Sequence, residues 1–262
     1  MARPAAGEFP YWLVAAVLVG IAAALAIAAS DLYAQVFLTI AKGIWITIFV
    51  TIVAFALASA LGLCVALMGL SGSRVLSQIA RFYIEIIRGV PILVLLFWIA
   101  FAGAPAFVAA WNAVLGGIFG EMQVRDVSLL WRAIIALMIA YSSFIAEIFR
   151  AGIQSVPEGQ IDAAKTLGLS RFQRFRHIVW PQAFRTILPP YSNDFIAMVK
   201  DSSLVSVLGV ADITQMGKIY AAGSFRFFET YSIVAYIYLL LTISLSLALR
   251  GLERRMRKVD EQ

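Results

Sequence analysis

The sequence predicts an all-α fold, a polytopic transmembrane helix bundle of six spans with a helical loop on its cytoplasmic side. Three observations carry this. Hydrophobic residues make up 62% of the chain and charged residues only 14%, with a mean hydropathy of +0.89; soluble domains hold about 45–50% apolar and about 25% charged residues. Apolar runs of about 18–25 residues, long enough to cross a bilayer, recur along the chain. Between them, Lys and Arg gather in alternate connections.

The runs fall at 11–29, 44–70, 91–110, 133–149, 186–208 and 231–249. The first is as long as a spanning helix, and no basic cluster beyond Arg3 precedes it. A retained helix is therefore expected there, with a cleaved signal peptide as the alternative. In the second run, Ala58, Gly62 and Ala66 recur every four residues. Small residues at that spacing let helices approach closely in lipid, either within one subunit or between two.

Orientation follows from the basic residues. One set of connections holds Arg3, then Arg74, Arg81 and Arg88, then the stretch from Arg150 to Arg185, then Arg250 to Lys258. The opposite set holds Lys42, Arg125, Arg132, Lys218 and Arg226, so the division is fifteen against five, leaving out the intramembrane Lys200. The positive-inside rule makes the richer side, with both termini, cytoplasmic. The same clustering in short loops speaks against nucleic acid as the partner of this +6 chain. One cysteine, Cys64, and one histidine, His177, offer neither a disulfide framework nor a cluster of metal ligands.

About 35 residues separate the fourth and fifth runs, long for a membrane connection. Pro157 and Gly159 end the preceding helix. A short helix is expected over 160–167, with Ala163 and Ala164 at its centre and Gly168 as its stop. Ser170 is placed to cap a second helix, in which Phe172, Phe175, Ile178 and Val179 recur at helical spacing among arginines. Pro181 is expected to break or kink this pattern, and Pro189-Pro190 to disturb the next helix. A basic amphipathic segment resting on anionic lipid explains the arginines and phenylalanines. The small Ala163-Ala164 face followed by a sharp turn suits instead a helix seated in a groove of another protein.

Asp162-Ala163-Ala164, Gly168 four residues on, and Ile178-x-Trp180-Pro181 after nine more resemble the signature loop of binding-protein-dependent ABC importer permeases. The family's usual Glu is here Asp162, and its usual Leu before the proline is Trp180. The likeness runs from about Lys42 to Arg250. Arg88-Gly89-Val90-Pro91, Glu147 with Arg150, Pro181-Gln182-Ala183 and Lys200-Asp201-Ser202-Ser203-Leu204 are similar to the polar amino-acid uptake branch.

The resemblance implies a coupling helix that docks into a separate cytoplasmic ABC ATPase dimer, with Asp162, Ala163, Ala164, Gly168 and Arg171 at the contact. It implies a second permease subunit, identical or paralogous, an extracytoplasmic amino-acid-binding protein, and a place in the bacterial inner membrane. ATP and Mg belong to the ATPase, and this chain is expected to bind no cofactor. Residues 42–250 form the permease core with the coupling loop at 155–185; 1–41 is an added N-terminal helix with a short outer loop, and 251–262 a basic tail.

Lys200 and Asp201 lie within the fifth run, toward its outer half by counting. A charge at mid-bilayer costs about 2.5–3.5 kcal/mol on insertion scales, so such residues are functional candidates. Adjacent helical residues point about 100° apart, so the two are poorly placed to pair. Asp201, Ser202 and Ser203 offer a carboxylate and two hydroxyls, suited to the ammonium and carboxylate of an amino acid, and a locally unwound helix is expected here. The resemblance also implies that part of the substrate site lies along 200–203. The alternative is a structural network that satisfies the two charges. Glu147 is expected to anchor locally through Arg150, and Glu85 and Arg88 to build the inner face.

No phosphate-binding loop is present, because Gly217-Lys218 lacks both the earlier glycine and the following hydroxyl residue. A transport subunit powered by a partner ATPase is the leading reading. An ion-coupled transporter explains the intramembrane charges but not the long loop. A membrane enzyme lacks an intramembrane histidine to serve as base.

Overall fold

A computed structural model describes residues 11–258; Arg3 and residues 259–262 of the basic tail lie outside the described residues. Helices α1 (Tyr11–Ala28), α2 (Asp31–Ala41), α3 (Ile44–Gly69), α4 (Arg74–Gly89), α5 (Ile92–Trp98), α6 (Ala104–Val114) and α7 (Gly116–Phe119) lead to the long α8 (Leu129–Gln154). The following loop forms α9 (Glu158–Thr166) and α10 (Arg171–Arg174). The chain then runs through α11 (Trp180–Asp201), α12 (Ile213–Ser224) and α13 (Phe227–Lys258). Among the described residues there is no strand.

Four stretches are long and apolar enough to cross a membrane: Asp31–Gly69, Ile92–Val114, Leu129–Gln154 and Phe227–Glu253. They cover the second, third, fourth and sixth expected runs, the second and third to within one residue. The other two runs differ. The apolar part of α1, Val14–Ala28, is shorter. The expected fifth run falls on α11 and on the 3-10 turns Ser202–Leu208, where Lys200 and Asp201 interrupt the apolar character.

A second difference is α4, expected as part of an inner connection but folded as a helix of 16 residues. Ser73 caps it by accepting the Leu76 N–H at 3.5 Å. Val75, Ile79, Phe82 and Ile86 form an exposed apolar face, while Arg81, Glu85 and Arg88 line a cavity on the other. Its apolar residues recur every three to four positions, the helical signature, but no run is long enough to mark a span.

The core is built where α8 lies between α3 and α11. Val50, Ala54 and Ala58 of α3 meet Leu137, Ala140 and Tyr141 of α8 and Met198 of α11 in one buried cluster. In lipid, apolar burial alone does not drive helices together, so close contact between small residues must. A Cβ on Gly62 would stand 2.9 Å from the Ser142 carbonyl oxygen and 3.1 Å from the Ala146 nitrogen. With Ala58 at 0% and Ala66 at 1% exposure, the 58/62/66 stripe packs inside this chain.

At the end opposite α9, Arg132 holds the bundle's rim. Its Nε donates to the Val127 carbonyl at 2.8 Å, Nη1 to the Ala100 carbonyl at 3.0 Å, and Nη2 to the Val124 carbonyl. Ala100 lies in the π-turn Ile99–Gly103 that joins α5 to α6.

The expected break at Pro181 takes a different form. A π-turn, Phe175–Val179, precedes it, and Pro181 sits in the first turn of α11, where its missing N–H costs nothing. Pro189 and Pro190 lie inside α11, which continues through them. Packing holds this part of the helix. Ile187 sits so close to Gly152 that a Cβ there would overlap it, and the Tyr191 ring stacks 5.9 Å from Phe149.

Candidate functional site

Two regions bring chemistry together: the α9–α10 loop at the basic end and a line of polar groups inside the bundle.

Helix α9 begins two residues before the predicted start. Gly168 takes φ +77°, the left-handed conformation predicted from its place after the helix, and its N–H bonds back to the Lys165 carbonyl at 2.9 Å. Ser170 caps α10 as expected: its hydroxyl accepts the Gln173 N–H at 3.3 Å, and the Gln173 side chain accepts the Ser170 N–H at 2.9 Å. The glycine lets the chain reverse, and the capping box starts the next helix at once.

The loop is fastened to α11 on one side and open on the other. Gln182 Nε2 donates to Gln160 Oε1 at 2.6 Å and to the Ile178 carbonyl at 2.8 Å. Ser155 donates to the Thr186 hydroxyl at 3.2 Å. Val156, Val179, Ala183 and Ile187 form a small buried core beneath, with Ile161 of α9 packed against it. Ala164 is buried, whereas Ala163, Gly168 and Arg171 are exposed. Asp162 pairs with Lys165 at 2.6 Å, both largely exposed. Leu167 is 79% and Phe172 69% exposed. Leu167 was not singled out in the sequence, although its place directly before the glycine stop was a signal.

Inside the bundle, α11 ends at Asp201 and the chain tightens into 3-10 turns over Ser202–Leu208, a change of helix where unwinding was expected. Asp201 accepts a hydrogen bond from the Tyr141 hydroxyl at 2.7 Å. Tyr141 lies halfway along α8, so Asp201 sits near mid-depth rather than in the outer half. Simple counting failed because the first turns of α11 lie alongside the loop. Ser202 is fully buried and donates to the Val199 carbonyl at 2.8 Å; Ser203 is half-buried. Lys200 is exposed and faces a groove against α13. The structure thus keeps Asp201 and Ser203 near the bundle interior and turns Lys200 away.

Sequence reasoning missed two polar residues of this region. Tyr141 is one. Asp194, two helical turns before Asp201, is the other; its Oδ2 is buried without a hydrogen-bond partner among the described residues. The i, i+7 spacing of the two aspartates on α11 was the available signal.

A polar cavity of about 550 Å³ opens at the basic end between α3, α4 and α8, lined by Arg81, Glu85, Arg88, Glu147 and Arg150 among others. Glu147 does anchor through Arg150, at 2.6 Å, and Arg150 also reaches Gln154 at 3.0 Å. The Arg88 guanidinium lies 5.4 Å above the Phe144 ring. Among the described residues no group of three or more His, Cys, Asp or Glu converges as a metal site would.

Comparison with known proteins meets this geometry. The family described as "Binding-protein-dependent transport system inner membrane component" matches residues 58–258. The chain is similar to the probable amino-acid permease protein YxeN of Bacillus subtilis (strain 168), 39% identical over 222 residues, which cover 85% of this chain and 93% of that one. It is 35% identical to the glutamine transport system permease protein GlnP of Escherichia coli (strain K12) over 82% of this chain and 92% of that one. Among solved structures, an amino acid ABC transporter crystallised with histidines matches with TM-score 0.70 and 36% identity over 85% of this chain and 95% of its own. The inward-facing MetNI methionine ABC transporter, 20% identical, shares the fold with TM-score 0.65 over 87% of this chain and 99% of its own. The chain belongs to the family of binding-protein-dependent transport system inner membrane components, the permease subunits of ABC transporters.

Proposed function

We propose that this chain is the permease subunit of an ATP-driven importer that carries polar amino acids or close analogues into the cytoplasm by alternating access. The observation that carries the reading is the continuity of α11. This helix starts beside the exposed α9–α10 loop, to which Gln160 and Gln182 bind it, and ends at Asp201. At 1.5 Å per residue its 22 residues span about 33 Å. A push on the loop therefore reaches mid-membrane as movement of one rigid rod, the kind of displacement that opens and closes a cavity.

The partners follow from the surfaces. Ala163, Gly168, Arg171, Leu167 and Phe172 present a small, partly apolar knob for a cytoplasmic ATPase dimer, which holds the ATP and Mg. A second permease subunit, identical or paralogous, completes the pathway, and an extracytoplasmic binding protein delivers the cargo. The fifteen-to-five division of Lys and Arg supports a cytoplasmic loop and cytoplasmic termini, in keeping with a bacterial inner-membrane protein. Names of the relatives support amino acids as the cargo class.

Two places suit the cargo. Asp201 with Ser203 offers a carboxylate and a hydroxyl near mid-depth. The cavity beside Glu147 and Arg88 supplies groups of both signs in about 550 Å³, enough for a zwitterion. Uptake by proteoliposomes holding the assembled complex, with its binding protein, tests the function. ATP-dependent accumulation supports it; accumulation driven by an ion gradient with no ATPase subunit present contradicts it. Comparing Asp201→Asn with Glu147→Gln locates the cargo, since the variant with the larger rise in KM marks its place.

A further inference from the structure

Lys200 and Arg250 face the same groove, on the outside of the bundle between α11 and α13. Its volume is about 270 Å³, and Ile196, Ile243, Leu247, Thr242 and Ser246 line it with the two cations. A smaller cleft of about 70 Å³ continues it past Ser246 and Arg250 to Asn193 and Glu253. Both Lys200 and Arg250 are exposed, and among the described residues neither side chain is hydrogen-bonded or ion-paired. On α13 the lining residues recur at i, i+4 and i+8 (Thr242, Ser246, Arg250), so they form one stripe about 12 Å long. That stripe lies in the half of the apolar stretch Phe227–Glu253 nearer the basic end.

A lysine with no protein partner at this depth is costly unless an anion meets it or its long stem carries the ammonium toward the interface. The groove offers both routes. The Lys200 side chain can reach along the stripe toward Arg250, and two hydroxyls stand between them. Ile196, Ile243 and Leu247 leave the walls apolar. A groove with a cation toward each end, hydroxyls between them and apolar side chains along its walls matches an anionic amphiphile.

We propose that this groove binds the phosphate headgroup of an acidic phospholipid of the cytoplasmic leaflet, held by Lys200 and Arg250, with an acyl chain along Ile196 and Leu247. A second copy of this chain fits worse. A two-fold contact places the same patch against itself, setting Lys200 and Arg250 against their own counterparts with Glu253 as the one carboxylate lining the two clefts. The inference uses the orientation proposed above but not the identity of the cargo. It gives Lys200 a role distinct from that of Asp201.

The test is lipid retention by the assembled complex, purified from nanodiscs of equal parts phosphatidylcholine and phosphatidylglycerol and weighed by native mass spectrometry. A basic residue beside an acidic lipid surface is worth about a fivefold change in binding. The wild type is expected to keep phosphatidylglycerol selectively. Lys200→Gln and Arg250→Gln should each lower its retention about fivefold, and Lys200→Arg should preserve it. Equal retention of both lipids by the wild type, or unchanged retention in the double variant, overturns the proposal. So does a photo-crosslinker at Ser246 that captures a second permease chain instead of lipid. Because the readout is lipid mass rather than transport, its failure leaves the cargo and coupling readings standing.

Discussion

Asp201 shows how a charge is kept inside the membrane. Its carboxylate takes the Tyr141 hydroxyl at 2.7 Å, and the chain beyond it winds into 3-10 turns. Replacing Tyr141 by Phe removes that donor while keeping the ring. A hydrogen bond to a charged group is worth about 1.5–3 kcal/mol, so Tyr141→Phe should lower thermal stability in detergent by about that amount and reduce uptake; unchanged values would mean that Asp201 is held by other groups. Gly62 is the opposite kind of residue, needed for what it lacks. Its Cα faces the α8 backbone, with no room for a side chain, so Gly62→Val should destabilise the bundle by about 1–3 kcal/mol, visible as a lower unfolding temperature. Gly168 has open space around it but φ +77°, a conformation that β-branched residues strongly resist.

At the scale of elements, α9 and α11 act together because Gln160 and Gln182 bind them side chain to side chain. Gln182→Ala should loosen this link without unfolding either helix, raising the ATP hydrolysed per cargo molecule in reconstituted complex; an unchanged ratio would assign force transfer to the apolar contacts around Val156 and Ala183 alone. The loop was legible in the sequence in unusual detail. Its glycine stop, its serine cap and its short helix all follow from local rules, which hold wherever the chain bonds mainly to itself. Helix α4 carries helical spacing but was hidden from any test of average hydropathy, because Arg74, Arg81, Glu85 and Arg88 interrupt its apolar residues. The rod-like α11 was obscured by its prolines, whose lost hydrogen bonds are offset by packing against Gly152 and Phe149, neighbours that no local rule reveals. Tyr141 and Asp194 escaped for the same reason, since their meaning depends on which faces of α8 and α11 meet.

For the whole molecule, hydropathy found the four long apolar helices but treated α11 as their equal. A helix that mixes Arg185, Lys200 and Asp201 with apolar residues is poorly suited to lipid. Packing against α3, α8 and α13 buries one face of it, with Ala183, Ile187, Ser192, Met198 and Val199, while Lys200 stays exposed. The orientation proposed from the Lys and Arg division is open to a labelling test. A cysteine introduced at Gly168 should react with a membrane-impermeant thiol reagent only after inverted vesicles expose the cytoplasmic face, whereas one at Gly223 should react from outside, each in a Cys64→Ser background. The reverse pattern would invert the proposed topology.

The central claim is that force from ATP hydrolysis enters at the α9–α10 loop. Its most direct test is the ratio of ATP hydrolysed to cargo imported by the assembled complex carrying Gly168→Val, with assembly checked by co-purification of the ATPase. Docking through this loop predicts an assembled complex that still hydrolyses ATP while import falls at least about tenfold, a change of about 1.4 kcal/mol in coupling. Import and hydrolysis that remain in their wild-type ratio would contradict it.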